Sequence, residues 1–188
     1  MEAYRNFSQL KTNELSVIRH GFLHPWYEFT DGEFCYGKLS YDNLWRLEYT
    51  LETENRTWVL KRRTVFSRTF SIEEFGCGDI GKVTSRIWSR KISLKMNDEF
   101  EAVFFNKRVF TQTFVFTNTH DGDLLVVRSQ PAHFGTPFKV FVDLNRLKDM
   151  PKLIPALTLM GVNLLLIKQT RATLLKFTDF ALMRGTGR

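Results

Sequence analysis

The segment Gly76-Cys77-Gly78-Asp79-Ile80-Gly81-Lys82-Val83 has the spacing of a G-x-G-x-x-G phosphate cradle and, with Val83, of the G-x-G-x-x-G-x-V loop of protein kinases. Glycines serve there because bare backbone N–H groups can approach an anion, but a dinucleotide fold also needs a helix to begin directly after them, so that its N-terminus meets the pyrophosphate. The residues after these glycines instead alternate between apolar and polar as a strand does, and the H-R-D and D-F-G segments of a kinase are missing. The glycines therefore read as a hairpin turn, whose amides beside Lys82 are still able to hold an anion.

Other reactive side chains are sparse. His20 and His24 have the i, i+4 spacing that puts two imidazoles on one helix face, but Gly21 and Pro25 argue against a helix, and no third ligand is near. His120 and His133 have no metal-ligand spacing, and Asp121 and Asp123 around Gly122 fall short of a twelve-residue calcium loop. Cys35 and Cys77 lack a neighbouring cysteine or histidine, so they read as two free, partly buried thiols. The expectation is a protein without metal, cofactor or catalytic residues.

The remaining chemistry is electrostatic. The formal charge is +7, and between Arg56 and Lys95 ten basic residues stand against three acidic ones, while the rest of the chain is balanced. Neighbouring antiparallel strands would gather Lys61, Arg62, Arg63, Arg68, Lys82, Arg86, Arg90, Lys91 and Lys95 on one face and make a field that attracts phosphate. The partners that fit are an anionic lipid headgroup or membrane surface and, second, nucleic acid. Nucleic acid calls for exposed aromatics among the basic residues, and Trp58, Phe66 and Trp88 are expected in the core instead. A solvated face with no ligand, in a structural or protein-interaction domain of unknown partner, is the alternative.

The elements that must position these residues are strands. A chain of 188 residues, 43% hydrophobic and 25% charged, has the size and balance of one folded domain rather than a disordered chain, and its eighteen phenylalanines suit half-buried strands. Residues 1–14 read as an arm, 15–180 as the domain and 181–188 as a tail. The arm is polar and lacks the apolar run of a secretory signal, so the expected location is the cytoplasm, peripheral to a membrane if lipid is the partner. Asp31-Gly32 predicts a hairpin between Trp26–Phe29 and Glu33–Tyr36. Further strands are expected at 44–51, 56–62, 65–72, 82–88, 100–105, 109–117, 124–128 and 138–142. Lys91–Met96 alternates most cleanly, with Ile92, Leu94 and Met96 toward a core. This is an antiparallel meander, and the fold class is mainly β.

One helix interrupts it. Asp149 as N-cap and Pro151 in the first turn precede an uncharged run from Leu153 to Ile167, closed by Lys168 and Arg171, which predicts a helix over about 150–170. The run is short of the roughly 20 apolar residues that span a bilayer, so core helix is preferred to membrane insertion. Apolar on all sides, it must be surrounded, and in a chain of strands the surface able to surround it is a sheet closed into a barrel of about 10–12 strands. Leu164→Asp is then expected to leave the protein insoluble or unfolded.

Gly78-Asp79-Ile80-Gly81-Lys82-Val83 before the alternating Arg90–Met96, the strand Leu124-Leu125-Val126-Val127-Arg128, the strand Phe138–Val142 and the helix from Leu153 together resemble the tubby C-terminal superfamily, which includes LURP-one-related proteins and phospholipid scramblases. The resemblance spans roughly residues 15–180. It implies a closed barrel threaded by a hydrophobic helix, and a role in binding phosphoinositide headgroups through basic residues. The cysteine-rich segment of scramblases has no counterpart here.

Overall fold

The computed structural model describes residues 4–22, 24–41, 48–62, 64, 67–85, 91–107, 113–118, 120, 122–130, 135–143 and 153–167. Twelve strands form one closed antiparallel barrel: β1 (Glu14–His20), β2 (Trp26–Thr30), β3 (Cys35–Tyr41), β4 (Glu48–Thr53), β5 (Thr57–Lys61), β6 (Thr69–Glu74), β7 (Gly78–Ser85), β8 (Lys91–Met96), β9 (Glu101–Asn106), β10 (Thr113–Asn118), β11 (Gly122–Ser129) and β12 (Phe138–Val142). Each pairs with the next in sequence, and β12 pairs with β1 to close the ring.

Strand alternation turns every second side chain inward, and register keeps those side chains level from strand to strand. The pairs Val17–Phe29, Leu39–Leu51, Leu51–Trp58, Leu60–Ile72, Phe70–Val83, Val83–Leu94, Phe104–Phe116, Phe116–Leu125 and Val127–Val140 follow one another round the wall. All of these residues are buried.

The helix α1, residues 154–167, fills the lumen. Ile154, Leu157, Leu159, Met160, Val162, Leu164 and Leu165 point in all directions around its axis, and all are buried. Pro155 sits in the first turn, where its missing N–H costs no intrahelical bond. A Cβ built on Gly37 of β3 would stand 3.1 Å from Leu159 Cδ1, and one built on Gly161 would stand 2.9 Å from Phe116 Cε2 and 3.3 Å from Phe104 Cε2. Since β3 and β9 lie six places apart in the ring of twelve, α1 touches opposite walls and is threaded through the barrel. Among the described residues no helix is long and apolar enough to cross a membrane.

Strands β8 and β12 begin and end where alternation places them, and β2 and β3 flank the Asp31-Gly32 turn. Asp31 Oδ1 accepts the N–H groups of Glu33 (2.9 Å) and Phe34 (2.8 Å), and its Oδ2 accepts the Tyr36 hydroxyl at 2.6 Å. Burial works against ionisation of this carboxyl, but those hydrogen bonds outweigh it and hold Asp31 below its usual range. Burial, reinforced by the bond to Asp31, raises Tyr36 above the usual phenol range.

Three expectations are corrected. The expected glycine turn ahead of the 82–88 strand shrinks to Phe75–Cys77, and β7 starts at Gly78, so Gly78 and Gly81 lie within a strand. Gly81 is there because β8 passes close: a Cβ on it would stand 2.6 Å from the Lys95 carbonyl oxygen. Cys77, on that turn, is exposed rather than partly buried, while Cys35 is half-buried. A strand also forms at Glu14–His20, a stretch that alternation alone does not mark and where the arm is expected to end: Leu15 and Val17 pack inward as β1 pairs with both β2 and β12. Ahead of it, one turn of 3-10 helix (Phe7–Gln9) packs Phe7 and Leu10 into the core. The predicted Asp149 cap, Pro151, and strand residues 44–47, 65–66, 86–88 and 109–112 lie outside the described residues.

Candidate anion-binding rim

Strand direction assigns each connection to one end of the barrel. The links β1–β2, β3–β4, β5–β6, β7–β8, β9–β10 and β11–β12 leave from the end where β1 finishes, here the upper rim, and the other five from the lower. The lower rim is the more acidic: its described connecting residues include Asp31, Glu33, Glu54, Asp98 and Glu99 against Arg56, with Arg5 and Lys11 of the N-terminal arm beside Asp31 and Glu33. Those of the upper rim include Arg62, Arg68 and Lys107 and no acidic residue, although Lys107 reaches Asp123 of β11 at 2.8 Å.

Six of the nine basic residues singled out in the sequence are among the described residues, and they divide between this rim and the wall below it. Arg62 is half-buried at the end of β5, with its guanidinium 5.6 Å from the Phe70 ring, and Arg68 is exposed just before β6. Lys91 opens β8, exposed, with its ammonium 5.9 Å from the Phe105 ring. Arg63, Arg86 and Arg90 lie outside the described residues. The end of β7 lies beside the start of β6, where the Ser85 N–H donates to the Arg68 carbonyl at 2.9 Å. In the sequence, 62–68 and 86–90 hold five arginines and no acidic residue.

On the wall the charge is compensated in part. Lys61 is bound to Glu73 at 2.7 Å and lies 3.9 Å from Glu48. Lys95 is bound to Glu101, and that hydrogen bond, with the carboxylate's charge, raises the ammonium above the usual lysine range. Lys82 pairs in register with Lys95 and has no acidic partner among the described residues. Like charges facing each other across a sheet repel, and here they border a groove of about 430 Å³ lined also by Thr84, Ser93 and Thr117. Of the four lysines on the expected basic strand face, Lys61 and Lys95 are thus bound to carboxylates, a pairing that composition along the chain does not reveal.

The other candidate groups have structural partners. His20 stacks on Trp26 with centroids 4.0 Å apart and bonds Glu28 at 2.7 Å across β1–β2. Trp58 is fully buried, while Phe66 and Trp88 lie outside the described residues. Among the described residues no group of histidine, cysteine, aspartate or glutamate is placed to hold a metal ion. Inside the barrel, Thr158 Oγ1 and both amide atoms of Asn163 are buried on α1 without hydrogen-bond partners. No family model, curated protein or solved structure matches the chain.

Proposed function

We propose that this barrel is a tubby-like, non-enzymatic binding module that recognises anionic membrane headgroups, of the phosphoinositide kind, through its upper rim and acts at the cytoplasmic surface of a membrane. The closed twelve-strand barrel with one C-terminal helix is consistent with that family. The observation that carries the reading is the position of Arg62 and Arg68 on the upper rim, opposite an end whose described connecting residues are mostly acidic. Arginine suits phosphate because its planar fork donates two parallel hydrogen bonds and stays charged. With acidic residues at the far end, an anionic surface also exerts a torque that presents the upper rim first.

Co-sedimentation with vesicles that are neutral, or contain phosphatidylserine or a phosphoinositide, at two salt concentrations tests this. Binding to the charged vesicles that weakens steeply with salt is the expected result. Absence of binding to every vesicle would remove the reading.

A further inference from the structure

The upper rim carries a hydrophobic side chain as well as charge. Among the described residues two large hydrophobics are exposed, Phe22 at 89% and Phe75 at 86%. They stand at opposite ends: Phe22 in the β1–β2 link of the basic rim, Phe75 in the β6–β7 turn of the acidic one.

Phe22 is held outward by the geometry of its loop. Gly21 adopts φ +71°, and a Cβ on it would stand 2.7 Å from the His24 carbonyl oxygen, so the chain reverses too tightly for any residue but glycine. Beneath the turn the His20–Trp26 stack and the His20–Glu28 bond tie β1 to β2. The ring is displayed by a braced hairpin rather than left at the end of a loose segment.

A single exposed phenylalanine is ordinary on a protein surface in general. On this rim it shares an end of the barrel with Arg62 and Arg68, and a bilayer is the partner that meets both: anionic headgroups at its surface and acyl chains just beneath. A soluble phosphate compound satisfies the arginines and leaves the ring in water, and a nucleic-acid platform stacks successive bases on several exposed aromatics, whereas among the described residues of this rim Phe22 is the one large exposed hydrophobic.

We infer that the barrel docks end-on to an anionic bilayer, with Phe22 inserted among the lipids as an apolar anchor while the rim arginines hold the headgroups. This rests on the proposed headgroup recognition and adds the orientation and the inserted residue. The bound barrel stands on its upper rim, so Phe75 points away from the membrane.

The test compares wild type, Phe22→Ser and Phe75→Ser for partitioning onto vesicles containing phosphatidylserine, at low and high salt. Burying one phenylalanine side chain corresponds to about tenfold or more in affinity, so Phe22→Ser is expected to bind at least about tenfold more weakly and Phe75→Ser as wild type does. The salt dependence of Phe22→Ser is expected to stay that of wild type, because its charges are intact. If wild type binds in a salt-sensitive manner and Phe22→Ser is unaffected, or if both variants lose affinity equally, the end-on anchor is wrong while headgroup recognition stands. If wild type does not bind charged vesicles at all, both fall.

Discussion

Gly161→Ala is the sharpest probe of the threaded helix. In a solvent-facing helix the change stabilises by about 0.5–1 kcal/mol, because alanine loses less backbone entropy on folding. In the barrel the added methyl would stand 2.9 Å from Phe116 Cε2 and 3.3 Å from Phe104 Cε2, closer than carbon contacts tolerate. Phe116 is fully buried, with Phe104 at a centroid distance of 4.7 Å, and in a close-packed interior its ring gives way only by shifting its neighbours. Overpacking of this kind costs about 1–3 kcal/mol, so the variant is expected to be destabilised by about 1 kcal/mol net. For a chain of this length that is a loss of roughly 2–4 °C in Tm, measurable by calorimetry and by urea unfolding. Phe116→Leu, destabilising alone, opens space for the methyl, so the double mutant should be more stable than additivity predicts by about 1 kcal/mol. Stabilisation of Gly161→Ala by about 1 kcal/mol, with no coupling to Phe116, would refute the packing of α1 against β9 and β10.

Thr158→Val keeps the shape of a fully buried side chain whose hydroxyl has no partner, and should raise stability by about 1 kcal/mol in urea unfolding. Leu164→Asp places a charge in the lumen and is expected to yield insoluble or unfolded protein, judged by the soluble fraction and circular dichroism. Asp31→Ala removes an acceptor of three hydrogen bonds and should cost about 1–2 kcal/mol at pH 7. Because the folded state holds this carboxyl below its ordinary value, its ionisation favours folding above the unfolded-state pKa, and the advantage is lost as pH falls through the folded-state pKa. The difference between wild type and Asp31→Ala should therefore narrow below about pH 4, followed by unfolding at stepped pH.

How much of the fold is legible in the sequence depends on how local each cause is. Lys91–Met96 and Phe138–Val142 alternate without interruption, and a core on one side is enough to fix such strands. The lumen helix is legible because a wheel apolar on every side has few places to go. β1 is harder to see: Leu15 and Val17 give only two inward positions, and much of its stability comes from pairing with β12, more than a hundred residues away. Gly78 and Gly81 read as turn residues since glycine usually marks one; the reason for Gly81 is the Lys95 carbonyl of a neighbouring strand, a contact no local window contains. The charge obeys the same rule. A basic stretch is visible along the chain, but that Lys61 and Lys95 are answered by Glu73 and Glu101 while Arg62 and Arg68 stand at one rim comes from register and strand direction.

The central claim, that the upper rim meets the membrane, is tested most directly by charge reversal at the two ends of the barrel. Affinity for phosphatidylserine vesicles at physiological salt would be measured for wild type, for Arg62→Glu/Arg68→Glu on the upper rim, and for Arg56→Glu on the lower. At about 1 kcal/mol per basic residue near an anionic surface, the upper-rim double variant should bind at least about 30-fold more weakly, with Arg56→Glu within about twofold of wild type. Equal losses at both ends, or none at the upper rim, would contradict it.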